Sequence, residues 1–234
     1  MKYTTLFFDL DNTLWDFDKN YFTALSDIYK LYKLDQYCNL EEFLSVYQIH
    51  NHKAWDLYKK NLISSEEVKI NRFINTFEEL GIIINENDIK SIGNDYLDIL
   101  SQKTNIFPNV KESLDQLRKY FKLHIISNGF IDVQINKLKN CGLIHYFDQI
   151  ITSEAVGYKK PDARIFEYAL KITNTPKHEA IYIGDEFETD IIGTNNADID
   201  SVWFNPKNSE STDERVKATF EVKSFNELLE IFTF

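Results

Sequence analysis

The chain has 234 residues, of which 43 % are hydrophobic, and its formal net charge is −11. This length suits one large domain or two small ones, and the apolar content allows a buried core, which excludes a disordered chain. An acidic chain without a Lys/Arg cluster repels nucleic-acid polymers and anionic membranes. A small anionic substrate is compatible with this charge only if a metal ion, a lysine or a helix N-terminus supplies local positive charge.

Three features predict a cytoplasmic protein. No apolar stretch approaches the ~18 residues of a membrane span, and the N-terminal residues lack a signal-peptide pattern. Cys38 and Cys141 are too few and too far apart for a disulfide framework. We therefore expect no membrane and no nucleic-acid polymer as a partner, and we predict no particular oligomeric state.

Five short apolar runs predict β-strands. They are Tyr3–Leu10, Lys122–Ser127, Gln149–Thr152, Ala180–Gly184 and Ser201–Phe204. Several are almost continuously apolar, as expected for parallel strands that are covered on both faces. From residue 105 onward, helical spacings lie between the strands, including a less regular one of Val133, Ile135 and Leu138. Strand alternating with helix predicts an α/β fold with a doubly wound, Rossmann-like parallel sheet.

A long helical segment interrupts this pattern between the first two strands. More than 100 residues separate them, whereas a simple crossover unit takes ~30 residues in all. The interval carries four apolar stripes at helical spacing, which begin at Phe22, Phe43, Ile70 and Ile89. Ser64 and Glu67 have the spacing of a capping box before the third stripe. Because four such helices can bury their own core, we predict an inserted helical domain over residues 17–104 and a core domain of residues 1–16 and 105–234.

Polar clusters follow each of the first four predicted strands. They are "DLDNT" from Asp9 to Thr13, "SNG" from Ser127 to Gly129, "GYKKPD" with Lys160, and "GDEFETD" with Asp185 and Asp190. Open α/β sheets bind ligands beyond the carboxyl ends of their strands, so we expect these groups at one rim. Each cluster alone can be interpreted as a turn, a helix cap or a solvated charge. The occurrence of all four in order favours a functional site.

These four motifs resemble the signatures of the haloacid dehalogenase superfamily of phosphohydrolases. The helical insertion after the first motif is similar to that family's first class of cap domain, so the resemblance covers the whole chain. It implies a Rossmann-like catalytic core with an inserted α-helical cap. A narrower likeness, to bacterial pyrimidine 5′-nucleotidases that act on non-canonical nucleotides, is carried by "TLWDFD", "ISNGFIDVQ", "TSEAVGYKKPDARIFEYAL" and "HKAWDLYKKNLISSEEVKINRF".

The resemblance implies hydrolysis of a phosphate ester through a covalent carboxyl phosphate. It implies that Asp9 is the nucleophile, that Asp11 is the acid and base, and that Lys160 bridges Asp9 and a phosphoryl oxygen. It also implies Mg²⁺ as the cofactor, with the Asp9 and Asp185 side chains and the Asp11 backbone carbonyl as ligands. Asp190 would orient metal-bound water or Lys160.

The same resemblance implies a phosphate-binding set. Thr13 would orient the first loop, while Ser127 and the backbone amides of Asn128 and Gly129 would hold the phosphoryl oxygens at a helix start.

Four side chains are candidate substrate contacts in or near the cap: Trp15, Phe17, His52 and Trp55. Flat aromatic rings stack on nucleobases in other nucleotide sites. The alternative for Phe17 and Trp55 is that they are ordinary core residues of the helical insertion. His50 and His52 form an H-x-H pair, which without further Cys/His spacing is a weak metal signal.

The function predicted from these motifs is a Mg²⁺-dependent phosphomonoesterase that acts on a small phosphorylated metabolite, with a preference for pyrimidine nucleoside monophosphates. The first alternative is the same chemistry on a sugar phosphate or phosphoglycolate, with a phosphomutase as a variant. A 2-haloacid dehalogenase is disfavoured by Asp11, because halide leaves without a proton. A non-catalytic binding protein on this fold is disfavoured because every catalytic position is filled.

Overall fold

The computed structural model describes residues 2–232, except for the side chain of Glu86. The chain divides into two compact units, Met1–Phe17 with Thr104–Phe234, and Asp18–Lys103. This division differs from the predicted insertion, residues 17–104, by one residue at each end. Residues 1, 233 and 234, which the predicted core domain includes, lie outside the described residues.

The first unit contains a parallel sheet of six strands within the described residues. They are β1 (Thr5–Phe8), β2 (Lys122–Ser127), β3 (Gln149–Thr152), β4 (Ala180–Gly184), β5 (Asp200–Phe204) and β6 (Phe220–Val222). Their order is β3-β2-β1-β4-β5-β6 and every neighbouring pair is parallel. The doubly wound sheet predicted from sequence is confirmed. The sixth strand was not predicted, because it has only three residues and two of them are exposed at the edge.

Ten α-helices lie in the described part of the chain. They are α1 (Phe17–Leu31), α2 (Leu40–Lys59), α3 (Ser65–Glu79), α4 (Glu86–Ser101), α5 (Val110–Leu117), α6 (Ile131–Asn140), α7 (Ser153–Val156), α8 (Ala163–Thr173), α9 (Ile192–Asn196) and α10 (Phe225–Ile231). A short π-helical turn, Phe187–Ile191, leads directly into α9. None of these helices combines the length and the apolar character that a membrane crossing requires.

The position of β1 in the sheet decides where a ligand can bind. The chain continues from β1 to β2 on one side, and β4 joins β1 on the other side, so the strand order reverses between β1 and β4. In doubly wound sheets such a switch point opens a crevice at the carboxyl ends of the two strands. Phe7 packs with Ile165 and Phe166 of α8 in one core cluster, and the side chains of its neighbours Leu6 and Phe8 are also buried, as the period of two requires for a strand covered on both faces.

The helical unit has an aromatic core of its own. Tyr47 lies between Phe43, at a ring-centroid distance of 6.1 Å, and Phe73, at 4.8 Å. The predicted capping box at Ser64 and Glu67 is present at the start of α3. The predicted stripe of α1 is partly wrong, because Phe22 is 44 % exposed.

A buried arginine in this unit was not predicted from the apolar pattern. Arg72 is 2 % exposed, its guanidinium lies 4.7 Å from the ring centroid of Tyr96, and its Nη1 donates to Oδ1 of Asn51 at 3.2 Å. Cation–π contact with aromatic faces is one of the ways in which proteins accommodate a desolvated guanidinium.

Candidate active site

The end of β1 places the first motif at the switch point. The Asp9 amide donates to the carbonyl of Ile183 in β4 at 2.8 Å, which continues the sheet by one residue. The chain then turns tightly, and the Trp15 amide donates back to the Leu10 carbonyl at 2.9 Å. Asn12 has a φ of 57°, in the left-handed region that asparagine tolerates better than most residues. The turn therefore fixes the backbone on both sides of Asp11.

A buried lysine lies at the centre of one side of the site. Lys160 is 3 % exposed, and its Nζ donates to Asp9 Oδ1 at 2.7 Å, to Asp190 Oδ1 at 2.7 Å and to the Tyr182 hydroxyl at 2.8 Å. An ammonium group has three N–H donors, so these three acceptors match its full capacity. Lys160 thus joins the residue that follows β1, a residue within β4 and a residue of the π-helical turn.

The carboxylates around Lys160 repel one another. Burial raises the pKa of Asp9 to about 7; the attraction of Lys160 opposes this rise, and the charges of Asp190 and Asp11 add to it. Burial also raises the pKa of Asp185 well above its usual range, and the charges of Asp190 and Asp9 raise it further. Burial lowers the pKa of Lys160, but the charges of Asp190 and Asp9 outweigh that effect and raise it overall. One lysine does not balance so many acids, so the site favours an additional cation.

Three aspartates in this cluster could bind a metal ion. Asp9 and Asp190 are buried and Asp185 is half-buried, and carboxylate oxygens of all three lie within 4.8 Å of one another. Such an all-oxygen, anionic set fits a hard divalent cation. Both oxygens of Asp190 are already engaged, Oδ1 by Lys160 and Tyr182 and Oδ2 by the Glu186 amide at 3.1 Å. The side chains of Asp9 and Asp185 therefore have more free coordination capacity than Asp190.

Two further contacts place these carboxylates. The Thr13 hydroxyl donates to Oδ1 of Asp185 at 3.1 Å, which ties the first motif to the fourth. A Cβ at Gly184 would lie 2.3 Å from Oδ2 of Asp190. Glycine is therefore required before Asp185, because any side chain there would displace Asp190.

The second motif lies beside Lys160, at the end of β2. The Asn128 side-chain amide donates to the Lys160 carbonyl at 3.0 Å and its oxygen accepts from the Lys160 amide at 2.9 Å. The Gly129 amide donates to the Ser127 hydroxyl oxygen at 3.1 Å. Both residues were predicted to offer backbone amides to a phosphate; in the structure the Gly129 amide already has Ser127 as a partner.

Helix α6 contributes two polar residues that were not predicted from the sequence. Lys137 Nζ donates to Asp11 Oδ1 at 2.6 Å, and Gln134 Nε2 donates to Asp11 Oδ2 at 2.9 Å and to Ser127 Oγ at 2.7 Å. The predicted apolar face of α6 is wrong for Val133 and Ile135, which are half-buried, while Gln134 and Lys137 are buried beside Leu138. Their spacing of three, on the helix that follows the second motif, was the available signal.

A known enzyme family matches most of the chain. Residues 6–204 match the family described as haloacid dehalogenase-like hydrolase. The chain belongs to this hydrolase family.

Several proteins match this hydrolase over nearly their whole length. It is 32 % identical to "Pyrimidine 5'-nucleotidase PynA" of Streptococcus pneumoniae, over 98 % of this chain and 95 % of that protein. It is 31 % identical to "Pyrimidine 5'-nucleotidase YjjG" of Escherichia coli, over 97 % of each chain. The crystal structure of the Bacillus subtilis HAD-hydrolase YfnB, bound to magnesium, has a TM-score of 0.88 at 26 % identity and covers 100 % of both chains.

The candidate substrate contacts near the first motif of the hydrolase are not freely accessible. Trp15 is fully buried, and the centroid of its ring lies 4.3 Å from Lys137 Nζ and 6.1 Å from the Phe17 ring. This burial argues against stacking of a nucleobase on Trp15, which instead packs against the cation that contacts Asp11. Phe17 is half-buried, with Lys137 Nζ at 5.7 Å from its ring centroid.

The other two candidate contacts belong to the helical unit. His52 is exposed on α2, with its Nε2 3.7 Å from Oδ2 of Asp56. Trp55 is half-buried and its ring meets that of Tyr58 edge-on at 5.6 Å. Unlike a core tryptophan, Trp55 keeps part of its surface accessible, so it remains a candidate for a contact with a ligand.

Proposed function

We propose that this hydrolase is a Mg²⁺-dependent phosphomonoesterase that works through a phosphorylated Asp9, and that its substrates are pyrimidine nucleoside 5′-monophosphates. The observation that carries the chemistry is the pairing of Asp9 with Lys160 at the switch point, with Asp11 two residues further along the chain. The substrate class rests on the full-length similarity to two proteins named as pyrimidine 5′-nucleotidases.

The first step transfers the phosphoryl group to the enzyme. A carboxylate oxygen of Asp9 attacks phosphorus, the bond between phosphorus and the 5′ oxygen of the nucleoside breaks, and Asp11 gives its proton to that oxygen. Lys160 Nζ donates to Asp9 Oδ1 at 2.7 Å, and in this proposal the Ser127 hydroxyl donates to a phosphoryl oxygen. The nucleoside leaves with the proton from Asp11.

The second step releases phosphate. Asp11, now ionised, removes a proton from a water molecule whose oxygen attacks phosphorus, and the bond from phosphorus to Asp9 breaks. The products are inorganic phosphate and the carboxylate of Asp9. Asp11 then carries the proton that the next cycle requires, so protons and electrons balance over the two steps.

We propose Mg²⁺ as the metal, held by the side chains of Asp9 and Asp185 and the backbone carbonyl of Asp11. When bound, it neutralises negative charge on the nucleophile and the phosphate. Asp190 supports this set through its contacts with Lys160 and the Glu186 amide. The crowding of acids around one lysine, described above, is the physical support for a divalent cation.

We propose that residues 17–104 act as the cap of this hydrolase and that Phe17, His52 and Trp55 contribute to substrate choice. Substrates would be small phosphates in the cytoplasm rather than nucleic-acid polymers, because the net charge of −11 repels a polyanion. Two free cysteines, Cys38 and Cys141, are compatible with a reducing compartment.

The experiment is phosphate release from a panel of substrates, with Mg²⁺ and with EDTA. The panel contains dUMP, dTMP, UMP, a sugar phosphate and phosphoglycolate, and chloride release from 2-chloropropionate is measured separately. We expect the nucleotides to give the highest kcat/KM, and we expect EDTA and the substitution Asp9→Asn to abolish turnover. Better turnover of the sugar phosphate or phosphoglycolate would overturn the substrate class, and chloride release without phosphatase activity would overturn the chemistry.

A further inference from the structure

Two polar side chains are buried on the face of α6 that contacts the first two motifs. Gln134 is fully buried and Lys137 is 3 % exposed. A buried ammonium group without an anionic partner costs much free energy, so a buried lysine is expected to have such a partner. The anionic partner of Lys137 is Asp11, the residue that the proposed function makes the acid and base.

The contacts of Asp11 fix both of its oxygens. Lys137 Nζ donates to Oδ1 at 2.6 Å, and Gln134 Nε2 donates to Oδ2 at 2.9 Å. Each carboxylate oxygen has two lone pairs, so one remains on each oxygen for a transferred proton. The aromatic ring of Trp15, 4.3 Å from Lys137 Nζ, holds the cation from another side. The orientation of the Asp11 side chain is therefore set by α6 and not only by the turn after β1.

Gln134 also determines what the Ser127 hydroxyl can do. Ser127 Oγ accepts from Gln134 Nε2 at 2.7 Å and from the Gly129 amide at 3.1 Å. A hydroxyl oxygen has two acceptor lone pairs and one O–H donor. Because two donors already occupy the acceptor positions, the Ser127 proton is directed away from them and is available for a phosphoryl oxygen.

The local backbone is built around this arrangement. A Cβ at Gly129 would lie 2.2 Å from Nε2 of Gln134. Any other residue at position 129 would therefore displace the amide that joins Asp11 to Ser127. The glycine of the second motif serves the packing of Gln134 as well as the turn.

We infer that Gln134 and Lys137 are positioning residues for proton transfer, which hold the Asp11 carboxylate and the Ser127 hydroxyl in the geometry that the leaving group and the phosphate require. This inference rests on the proposed phosphatase function. It assigns α6 a specific effect: loss of Lys137 weakens the step that needs a proton and spares a step that does not. Loss of Gln134 also releases the Ser127 hydroxyl, so it weakens both steps, and the step that needs a proton more.

The leaving group separates these two cases. A nucleoside 5′ oxygen must be protonated as it leaves, whereas p-nitrophenolate leaves without a proton. The variants are Lys137→Met and Gln134→Met, which preserve side-chain length and remove the donors. Lys139→Met is the matched control, because Lys139 is an exposed lysine on the same helix. Each protein is first compared with the unmodified one by circular dichroism and thermal unfolding.

The measurements are single-turnover rates with a nucleoside 5′-phosphate and the initial burst of nitrophenolate from p-nitrophenyl phosphate, both with saturating Mg²⁺. We expect both α6 variants to slow the nucleotide reaction about 10- to 100-fold. In Lys137→Met we expect the nitrophenolate burst and the KM for the nucleotide to change about twofold or less. In Gln134→Met we expect the burst to fall less than the nucleotide reaction does, and we expect Lys139→Met to match the unmodified protein. Gln134→Met keeps the ion pair between Lys137 and Asp11, so it tests the inference even if Lys137→Met does not fold.

The outcomes distinguish this inference from the proposed function. Equal losses with both substrates would show a general structural role for α6 and overturn the inference, and so would unchanged nucleotide turnover in both variants. Failure of the unmodified protein to release phosphate from either substrate would instead overturn the proposed function.

Discussion

Two buried lysines hold the two aspartates of the first motif, and they do so in different ways. Lys160 pairs with Asp9 and Asp190 and has the Tyr182 hydroxyl as a third partner. Among residues 2–232, Lys137 pairs with one carboxylate, that of Asp11, and the rings of Trp15 and Phe17 lie near its Nζ. Each lysine is 3 % exposed, so neither is a solvated surface charge.

This difference indicates that the two lysines have different roles at the same rim of the sheet. The Lys160 side concentrates negative charge and fits a metal ion and a phosphoryl group. On the Lys137 side, one carboxylate, that of Asp11, pairs with one cation, and Gln134 links Asp11 to Ser127. We therefore expect changes on the Lys160 side to affect every substrate, and changes on the Lys137 side to depend on the leaving group.

The largest effect is expected from Lys160→Met. This change removes the cation that pairs with Asp9 and that, in the proposed function, contacts the phosphoryl group, so kcat should fall about 10²- to 10³-fold or more. The loss should be similar for a nucleotide and for p-nitrophenyl phosphate. Lys159→Met, at the neighbouring and more exposed lysine, is the control. A kcat for Lys160→Met within a few-fold of that of the unmodified protein would contradict the role assigned to Lys160.

A smaller effect on the same side is expected from Tyr182→Phe. Burial raises the pKa of Tyr182 well above its usual range, so the hydroxyl stays protonated at neutral pH and remains a hydrogen-bond partner. Lys160 would lose this partner and keep both carboxylates. Loss of one such bond is worth about 1 kcal/mol, which corresponds to about a tenfold or smaller fall in kcat. Steady-state kinetics should show the same fall for both leaving groups; a fall confined to the nucleotide would contradict the assignment of Tyr182 to the Lys160 side.

The smallest effect concerns a buried polar residue outside both networks. His124 is 2 % exposed in β2, and neither of its ring nitrogens has a hydrogen-bond partner among residues 2–232. Its ring centroid lies 5.3 Å from that of Phe7. His124→Phe keeps a ring beside Phe7 and removes two unpaired polar atoms, so the free energy of unfolding at neutral pH should rise by about 1 kcal/mol. Activity should not change.

The same variant has a pH signature. Burial lowers the pKa of His124 from 6.5, so below that pH the unfolded chain binds a proton that the folded chain resists. The stability of the unmodified protein should therefore fall as pH decreases through 6.5, and His124→Phe should lack this contribution. Thermal unfolding of both proteins between about pH 7.5 and 5 gives the difference directly. A constant difference in Tm across this range would contradict the account.

The sequence predicts the Lys160 side well because its residues directly follow strands. Asp9 and Asp185 directly follow strands, and Ser127 is the last residue of one. The topology of a parallel sheet therefore brings these three residues to one rim. Lys160 lies eight residues after Thr152, the last residue of β3, so its cluster was expected at the rim from its order in the chain, while its role came from the resemblance.

The Lys137 side was missed for a physical reason. Helical patterns count Lys and Gln as solvent-facing, and only the tertiary contact with Asp11 makes their burial favourable. Phe22 shows the reverse error, because an aromatic residue at helical spacing is 44 % exposed. Apolar periodicity predicts which face of a helix packs against the core. It does not predict which polar residues are buried because they contact a functional site.

The most direct test of the account is detection of a phosphoryl group on Asp9. In Asp11→Asn the first step with p-nitrophenyl phosphate needs no acid, while the second step lacks its base, so the phosphorylated enzyme should accumulate. After rapid quenching, mass spectrometry should find one phosphoryl group on the peptide that contains Asp9, and Asp9→Asn should carry none. Phosphate release by the unmodified protein without any phosphoryl group on that peptide in the Asp11→Asn variant would contradict the account.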